Sequence, residues 1–336
     1  MIEFISNYSL FLAKTMTILL AILLVAIFFM SSSRRMQGGS RDNLEVKKLN
    51  KKYDEMAMAL NANMLQKNAL KKYLKQEKQK QKKEASGKLP PEEEKQKRIY
   101  TLNFQGDIRA SAVASLREEI TAILTVATEK DEVFVRLESG GGVVHGYGLA
   151  ASQLMRVRER NIPLTVSVDK VAASGGYMMA CVANRIIAAP FAIIGSIGVI
   201  AQIPNFHKVL KKHDIEFEQF TAGEFKRTVT MFGENTKEAK SKFHEEIEDI
   251  HLLFKDFIVQ HRPSVDIVKV STGESWPGTR ALQNNLVDEL KTSDDYLLEN
   301  SKTAEIYEIS YVAKKSLMEK VGFQLQRMLD RLQYHT

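Results

Sequence analysis

The sequence is poor in the residues that build disulfide and metal sites. Its 336 residues include one cysteine, Cys181, and seven histidines. A lone cysteine excludes an internal disulfide framework, and no Cys/His cluster has the spacing of metal ligands. We therefore expect neither a metal nor a cofactor. Cys181 stands in an apolar run, which predicts a buried small hydrophobic residue.

The excess of positive over negative charge is confined to one stretch of the chain. The formal net charge is +7, yet residues 31–98 alone hold 19 Lys/Arg against 9 Asp/Glu, and residues 1–30 balance. Residues 99–336 therefore carry a net charge of −3. The lysines of the basic stretch are not interleaved with aromatic residues, so nucleic-acid binding is not expected, and anionic lipid headgroups are the nearer partner.

The N-terminus contains a long hydrophobic run. Residues Thr15–Met30 carry no charge, and the apolar character extends back past Lys14 to Tyr8. This length approaches the roughly 20 residues that a helix needs to cross a bilayer, and Lys14 can extend its ammonium toward the interface. A cleaved signal peptide is the alternative, but no small-x-small cleavage pattern follows the run. We predict a single transmembrane anchor at 8–30, after a short tail at 1–7.

The basic stretch 31–98 reads as a linker with a helical part. From Leu44 to Leu74, apolar residues recur on one heptad-like stripe, which predicts a lone amphipathic helix or a short coiled coil. The following residues lack core-forming side chains until Ile99, and Gly87 and the Pro90–Pro91 pair interrupt them. That composition is typical of a solvated linker.

Strand-like and helix-like patterns alternate after residue 98. "RIYTLNFQG", "DEVFVRLES", "IPLTVSVDKV" and "NRIIAAP" have the texture of strands, and the segments between them have helical periodicity. Such alternation predicts an α/β fold with a mainly parallel sheet. We assign residues 99–300 to this domain and 301–336 to a C-terminal extension.

Two loops of this domain are candidates for a functional site, since ligand sites in such sheets lie at the carboxyl ends of strands. The first contains three consecutive glycines, Gly140 to Gly142, whose amides are open to a phosphate or an oxyanion. It matches neither a Walker loop nor G-x-G-x-x-G. The second contains Ser174, between a strand and a helix, where a serine could simply cap the helix. Together the loops offer a nucleophile and oxyanion donors, including the amide of Gly175.

A nucleophilic serine requires a general base, and the sequence leaves several candidates open. His145 follows the glycines, while His207 and His213 lie in a lysine-rich segment that reads as a surface helix. Lys226 lies in the loop-like stretch "TAGEFKRTVTMFGENT". Removal of water from a lysine favours the neutral amine, which can accept a hydroxyl proton.

Four segments carry a family resemblance: "RLESGGGVVHGYGLAASQL", "VDKVAASGGYMMACVA", "IIGSIGVIAQ" and "TAGEFKRT". Together they resemble the signal peptide peptidase A family of Ser–Lys serine peptidases, and the N-terminal run and basic linker are similar to those of its membrane-anchored members. The resemblance covers nearly the whole chain. It implies that Ser174 is the nucleophile and Lys226, 52 residues later, the general base. It also implies oxyanion donors at Gly142 and Gly175, with Gly141 as the fallback.

The resemblance further implies a ClpP/crotonase-like spiral of ββα units and a homo-oligomeric ring in which Ser174 and Lys226 meet across a subunit boundary. The implied activity is endopeptidase cleavage of signal-peptide remnants or misfolded envelope proteins at the bacterial inner membrane. One departure is Gly140, where many relatives have proline, which puts the rigidity of the loop in question. The positive-inside rule places the domain after residue 30 in the cytoplasm, whereas family analogy favours the periplasm.

Two functions of other classes also fit the sequence. A crotonase-like protein would use paired amides to bind an acyl-CoA thioester, without a need for Ser174 or Lys226. An inactive scaffold would assemble at the membrane through the helix predicted at 44–74. Loss of proteolysis in variants at Ser174 and Lys226 separates the peptidase from both.

Overall fold

This computed structural model describes residues 11–12, 14–20, 43–66, 68–75, 97–223 and 225–312. Within the predicted anchor 8–30, the described residues are helical and their large apolar side chains are exposed. No helix among the described residues combines the length and the apolar character that a membrane span requires. The rest of the predicted anchor, and residues 76–96 of the predicted linker, lie outside the described residues.

The domain contains short strands and helices in alternation. Among the described residues the strands are β1 Asn43–Lys48, β2 Arg98–Gly106, β3 Glu132–Ser139, β4 Leu164–Val168, β5 Val171–Ala173, β6 Arg185–Ala188, β7 Ile193–Gly195, β8 Ser275–Pro277, β9 Glu289–Leu290 and β10 Glu305–Val312. The helices are α1 Leu49–Met64, α2 Val113–Leu124, α3 Val144–Arg158, α4 Gly175–Ala180, α5 His207–Lys212, α6 Lys237–His261, α7 Ile267–Val270, α8 Gly278–Gln283 and α9 Ser293–Asn300. The predicted mixed α/β fold is confirmed.

The strands form one sheet that branches beside the candidate site. Its main path runs β1-β10-β2-β3-β4-β6-β9, and the pairs from β10 to β9 are parallel. The pairing of β3 with β4 ends at Arg136. Beyond it, on the same side of β3, the last residue Ser139 pairs with Ala172 of β5. β5 then pairs with β7, and β7 pairs antiparallel with β8. This branch brings the carboxyl ends of β3 and β5 side by side.

Alternation along β3 divides the core between the two faces of the sheet. Val133, Val135 and Leu137 belong to the larger buried cluster, which includes residues of α2 and α3. Phe134 points to the opposite face, where its ring stacks on Tyr296 of α9 at a centroid distance of 4.8 Å. A strand with buried residues on both faces is expected in a parallel sheet covered by helices.

The helix predicted from Leu44 begins at Leu49, because the residues before it form an edge strand. β1 is the neighbour of β10, and this pairing satisfies backbone groups that an edge would leave open. Leu49 is buried against the second cluster. The Asn50 side chain donates to the carbonyl oxygens of Ser301 and Ala304 and accepts from the Ile306 amide. These contacts hold the start of α1 on the domain. A further helical segment spans 68–75.

Cys181 is fully buried, as its apolar surroundings predict. Its thiol donates to the Met178 carbonyl oxygen at 3.2 Å, and burial raises the pKa of the thiol well above its usual range. The residue therefore acts as a small hydrophobic side chain in the core.

Candidate active site

Ser174 occupies a sharp turn between β5 and α4. Its backbone angles are φ 52° and ψ −118°, a left-handed φ that is uncommon for a residue with a side chain. Strained conformations of this kind cost about 1–3 kcal/mol and concentrate at functional sites. The Ser174 amide donates to the Gly195 carbonyl oxygen at 2.7 Å, and the Ser174 carbonyl oxygen accepts from Met178 at 3.0 Å. A strand-to-helix turn of this type presents a nucleophilic hydroxyl to a substrate.

The two glycines after Ser174 allow α4 to pack closely on its neighbours. A Cβ at Gly175 would lie 2.4 Å from Cγ of Tyr147, and a Cβ at Gly176 would lie 2.5 Å from the Ser139 carbonyl oxygen. Both contacts are far closer than atoms tolerate. Glycine at positions 175 and 176 is therefore required by packing of the turn against α3 and the end of β3.

The glycine loop 140–142 lies directly against the Ser174 turn. Gly141 has φ +86°, and a Cβ there would lie 2.8 Å from Cβ of Ser174 and 2.7 Å from the Gly175 nitrogen. On its other side, a Cβ at Gly142 would lie 2.1 Å from the Ile108 carbonyl oxygen. The two loops selected from the sequence are thus in contact.

The backbone amides of this site differ in whether they donate a hydrogen bond to an acceptor within the protein. The Gly141 amide donates to Ser139 Oγ at 3.1 Å. Among the described residues, neither the Gly142 amide nor the Gly175 amide donates to a protein acceptor. Two open amides beside a serine can stabilise an oxygen that gains negative charge.

The candidate bases lie on exposed parts of the chain. Lys226 belongs to the segment between α5 and α6, its side chain is exposed, and its backbone amide donates to the Gly223 carbonyl oxygen. No hydrogen bond joins the Lys226 ammonium to Ser174 in the single chain. His145 and His213 are also exposed, and His207 is half-buried.

The segment 198–236 around Lys226 carries many exposed apolar side chains. Their exposed fractions range up to 78% for Ile200 and 90% for Phe220. Part of the segment packs on itself, since the rings of Phe206 and Phe217 each lie within 6.2 Å of the Phe232 ring, centroid to centroid. Clusters of exposed apolar side chains on a protein surface are typical of interaction sites.

Sequence reasoning missed one pair of site residues, Ser139 and Tyr147. Their hydroxyl oxygens lie 2.5 Å apart behind the glycine loop, and both residues are buried. The sequence did contain a pattern that indicates burial of Tyr147. It lies on the same helical face as Ala150, Ala151 and Leu154, and this spacing predicts that its ring packs in the core. Groups of His, Cys, Asp or Glu able to hold a metal ion are absent from the described residues.

A serine at a strained strand-to-helix turn of an α/β fold, with open amides nearby, is an arrangement that enzymes use for nucleophilic attack on a carbonyl. Comparison with known families gives a more specific assignment. Residues 3–154 match the model of the N-terminal region of peptidase family S49, and residues 156–307 match the model of peptidase family S49 itself.

Relatives extend this match over most of the chain. The "Probable protease SohB" of Haemophilus influenzae is 49% identical over 96% of this chain and 94% of its own length. The "Putative protease SohB" of Buchnera aphidicola subsp. Baizongia pistaciae is 42% identical over 99% and 97%. The chain therefore belongs to peptidase family S49, and its resemblance to the signal peptide peptidase A family, SohB type, is confirmed.

A solved structure was also found in the comparison. It is a serine-to-alanine mutant of the 1510-N membrane-bound stomatin-specific protease, 14% identical, with a TM-score of 0.42 over 61% of this chain and 84% of that chain.

Proposed function

We propose that this protein is a serine endopeptidase in which Ser174 is the nucleophile and Lys226 the general base. The observation that carries the proposal is the strained turn at Ser174, which the glycine loop contacts at Gly141, together with the open amides of the adjoining Gly142 and Gly175. Membership of family S49 supports peptidase chemistry at this turn. The motif around Lys226 supports its role, through the family resemblance.

In the proposed acylation, Lys226 acts first as a base and then as an acid. A neutral Lys226 amine takes the proton of the Ser174 hydroxyl while Oγ bonds to the carbonyl carbon of the scissile peptide. The carbonyl oxygen becomes an oxyanion between the Gly142 and Gly175 amides. When the tetrahedral intermediate collapses, the C–N bond breaks and the Lys226 ammonium protonates the leaving amine. Lys226 then deprotonates a water molecule that attacks the acyl carbon, the bond from that carbon to Ser174 Oγ breaks, and the Lys226 ammonium returns the proton to Ser174 Oγ.

Gly142 is the better choice of donor than the fallback, Gly141. The Gly141 amide already donates to Ser139 Oγ, so its use by an oxyanion would break an existing hydrogen bond. The Gly142 amide has no such partner among the described residues. A donor that needs no rearrangement at the moment of reaction stabilises the transition state best.

A second copy of the chain completes the site in this proposal. In one chain Lys226 is exposed and has no hydrogen bond to Ser174, whereas a general base must reach the proton that it takes. The exposed apolar segment 198–236 offers a surface that a neighbouring copy would cover, removing water from Lys226. A homo-oligomeric ring of ClpP/crotonase-like protomers, as the family resemblance implies, would provide this contact repeatedly.

The proposed substrates are polypeptides, namely signal-peptide remnants or misfolded envelope proteins.

The proposed location is the bacterial inner membrane, with residues 8–30 as the anchor in lipid and the catalytic domain in the periplasm. The basic charge of 31–98 argues for the cytoplasmic face. Alkaline phosphatase fused to the C-terminus, active only after export, distinguishes the two faces.

The deciding experiment assays the detergent-solubilised full chain on unfolded casein and on a signal-peptide-like peptide. Ser174→Ala and Lys226→Ala should each lower turnover by on the order of 10,000-fold or more. The first change removes the nucleophile, and the second removes the base that activates it. Lys269→Ala, at an exposed lysine of helix α7 outside the segment 198–236, serves as the control and should retain activity.

Each of the other outcomes rejects a stated part of the proposal. Full activity in Ser174→Ala excludes the serine mechanism, and full activity in Lys226→Ala excludes the base. An intact oligomer without activity in the wild type favours the scaffold. Tight binding of an acyl-CoA by both variants favours the crotonase-like alternative.

A further inference from the structure

A chain of three hydrogen bonds runs behind the glycine loop. The Gly141 amide donates to Ser139 Oγ at 3.1 Å, Ser139 Oγ and the Tyr147 hydroxyl oxygen lie 2.5 Å apart, and the Tyr147 hydroxyl donates to the Asp107 carbonyl oxygen at 2.8 Å. The exposed fractions of Ser139 and Tyr147 are 2% and 0%. This chain therefore connects the glycine loop to the turn after β2 through buried groups.

The donor and acceptor of each of these three hydrogen bonds follow from the chemistry of the groups at the two ends of the series. The Asp107 carbonyl oxygen can only accept, so it takes the single hydroxyl proton of Tyr147. Ser139 must then donate its own proton to the Tyr147 oxygen, and the Ser139 oxygen accepts from Gly141. Burial raises the pKa of Tyr147, so the tyrosine keeps its proton and the order of donors is fixed.

Tyr147 also touches the second half of the proposed oxyanion hole. Its ring lies against the backbone of Gly175, where a Cβ would come within 2.4 Å of Cγ of the ring. Gly106 leaves space for the hydroxyl groups, since a Cβ there would lie 2.4 Å from both Ser139 Oγ and the Tyr147 oxygen. One buried side chain thus contacts the residue that carries one open amide and, through Ser139, holds the loop that carries the other.

We propose that Tyr147, acting through Ser139, is a positioning residue that fixes the spacing between the Gly142 and Gly175 amides. The inference rests on the proposed function, because it assigns those amides to the oxyanion hole. Three consecutive glycines give the loop large conformational freedom, which the hydrogen-bond chain restricts. Oxyanion donors must lie within about 2.7–3.1 Å of the oxygen that they stabilise, so a loosened loop weakens the transition state more than the substrate complex.

The test removes the hydroxyl of Tyr147 and leaves its ring. In Tyr147→Phe we expect kcat on a fluorogenic signal-peptide-like substrate to fall about tenfold, less than the roughly 100- to 1,000-fold loss of a whole donor. KM should stay within about twofold, because substrate binding does not use the oxyanion contact. The pH profile should keep its shape, because Tyr147 is not the group that titrates.

A pair of peptide inhibitors separates positioning from general destabilisation. A peptide aldehyde forms a hemiacetal oxyanion with a nucleophilic serine, whereas the corresponding peptide alcohol does not. Tyr147→Phe should weaken the aldehyde about tenfold and leave the alcohol unchanged, as expected for a residue that acts on the transition state.

Two further variants make the test independent of folding effects. Tyr296→Phe is the matched control, since it removes another buried tyrosine hydroxyl, which bonds Glu132 on the opposite face of the sheet. It should lower the unfolding midpoint without changing kcat. Ser139→Ala interrupts the same chain at its middle, so the double variant with Tyr147→Phe should lose little more than either single variant.

The results distinguish failure of this inference from failure of the proposed function. If the wild type cleaves the peptide, Ser174→Ala does not, and both Tyr147→Phe and Ser139→Ala keep wild-type kcat and aldehyde affinity, the positioning role alone is rejected. Equal loss of aldehyde and alcohol affinity also rejects it, since that pattern indicates a structural role. If the wild type neither hydrolyses the peptide nor prefers the aldehyde, the proposed function is rejected and this inference with it.

Discussion

The region around Ser174 and the segment around Lys226 differ in how fully a single chain determines them. Ser174, the glycine loop and Tyr147 are fixed by buried contacts and by hydrogen bonds from three neighbouring elements. Lys226 instead lies in the segment 198–236, where Phe220 is 90% exposed. Under the proposed function, a single chain would form the nucleophile and the oxyanion hole by itself, and assembly with a second copy would supply the base.

The largest expected effect is recovery of activity when two inactive variants are mixed. If the base comes from a neighbouring copy, Ser174→Ala and Lys226→Ala chains that exchange subunits should regain activity, since random mixing pairs intact residues at about one site in four. Turnover would rise from near background to about a quarter of wild type. Native mass spectrometry verifies the exchange. Exchange without recovery would mean that both residues of each site belong to one chain.

The next effect concerns two neighbouring glycines of the well-determined region. Gly142→Ala should lower kcat on the order of 100-fold or more, because its Cβ would lie 2.1 Å from the Ile108 carbonyl oxygen and displace a proposed donor. Gly140→Ala is the matched control, since nothing lies within 4 Å of its Cβ position, and its kcat should stay within about twofold. Equal losses in both variants would contradict the assigned geometry.

A smaller effect is expected at the exposed segment. Phe220→Ser should leave the unfolding midpoint of the single chain unchanged but raise the protein concentration needed for assembly by about tenfold or more, since a buried phenylalanine contributes roughly 1.5–3 kcal/mol and about 1.4 kcal/mol corresponds to tenfold. Sedimentation and activity on dilution measure this shift. Val268→Ser, at a residue 82% exposed outside the segment, should change neither quantity. Unaltered assembly in Phe220→Ser would remove this residue from the interface.

The smallest change is expected at Cys181, whose thiol should not be alkylated in the folded protein. The thiol is fully buried and its pKa is raised by burial, so the folded protein should resist iodoacetamide at pH 8 while the unfolded protein reacts readily. Intact-mass measurement with time follows the modification. Rapid labelling under native conditions would show that α4, and with it the Ser174 turn, opens far more often than its packing indicates.

Local sequence patterns predicted the strands that form the centre of the sheet. "RIYTLNFQG" corresponds to β2, Arg98–Gly106, because alternating apolar residues signal a strand without help from distant residues. Contact between the loops of Gly141 and Ser174 followed from the rule that the carboxyl ends of neighbouring parallel strands meet at one edge.

Features that depend on distant partners could not be predicted in this way. β1 was read as the start of a helix because its neighbour in the sheet, β10, lies more than 250 residues away in the chain. The pairing of Ser139 with Tyr147 depends on how α3 returns along the sheet, and neither hydroxyl differs in sequence from an ordinary loop or core residue. The surroundings of Lys226 depend, in our proposal, on a second chain.

The most direct test of the central claim is to trap the acyl-enzyme. The full chain is mixed with a peptide p-nitrophenyl ester, quenched with acid during turnover, digested and analysed by mass spectrometry. We predict an acyl group on Ser174 of the wild type, lost in Ser174→Ala, because Ser174 Oγ attacks the carbonyl carbon. Continued ester hydrolysis with the acyl group on another residue, or equally fast hydrolysis by Ser174→Ala, would contradict the claim.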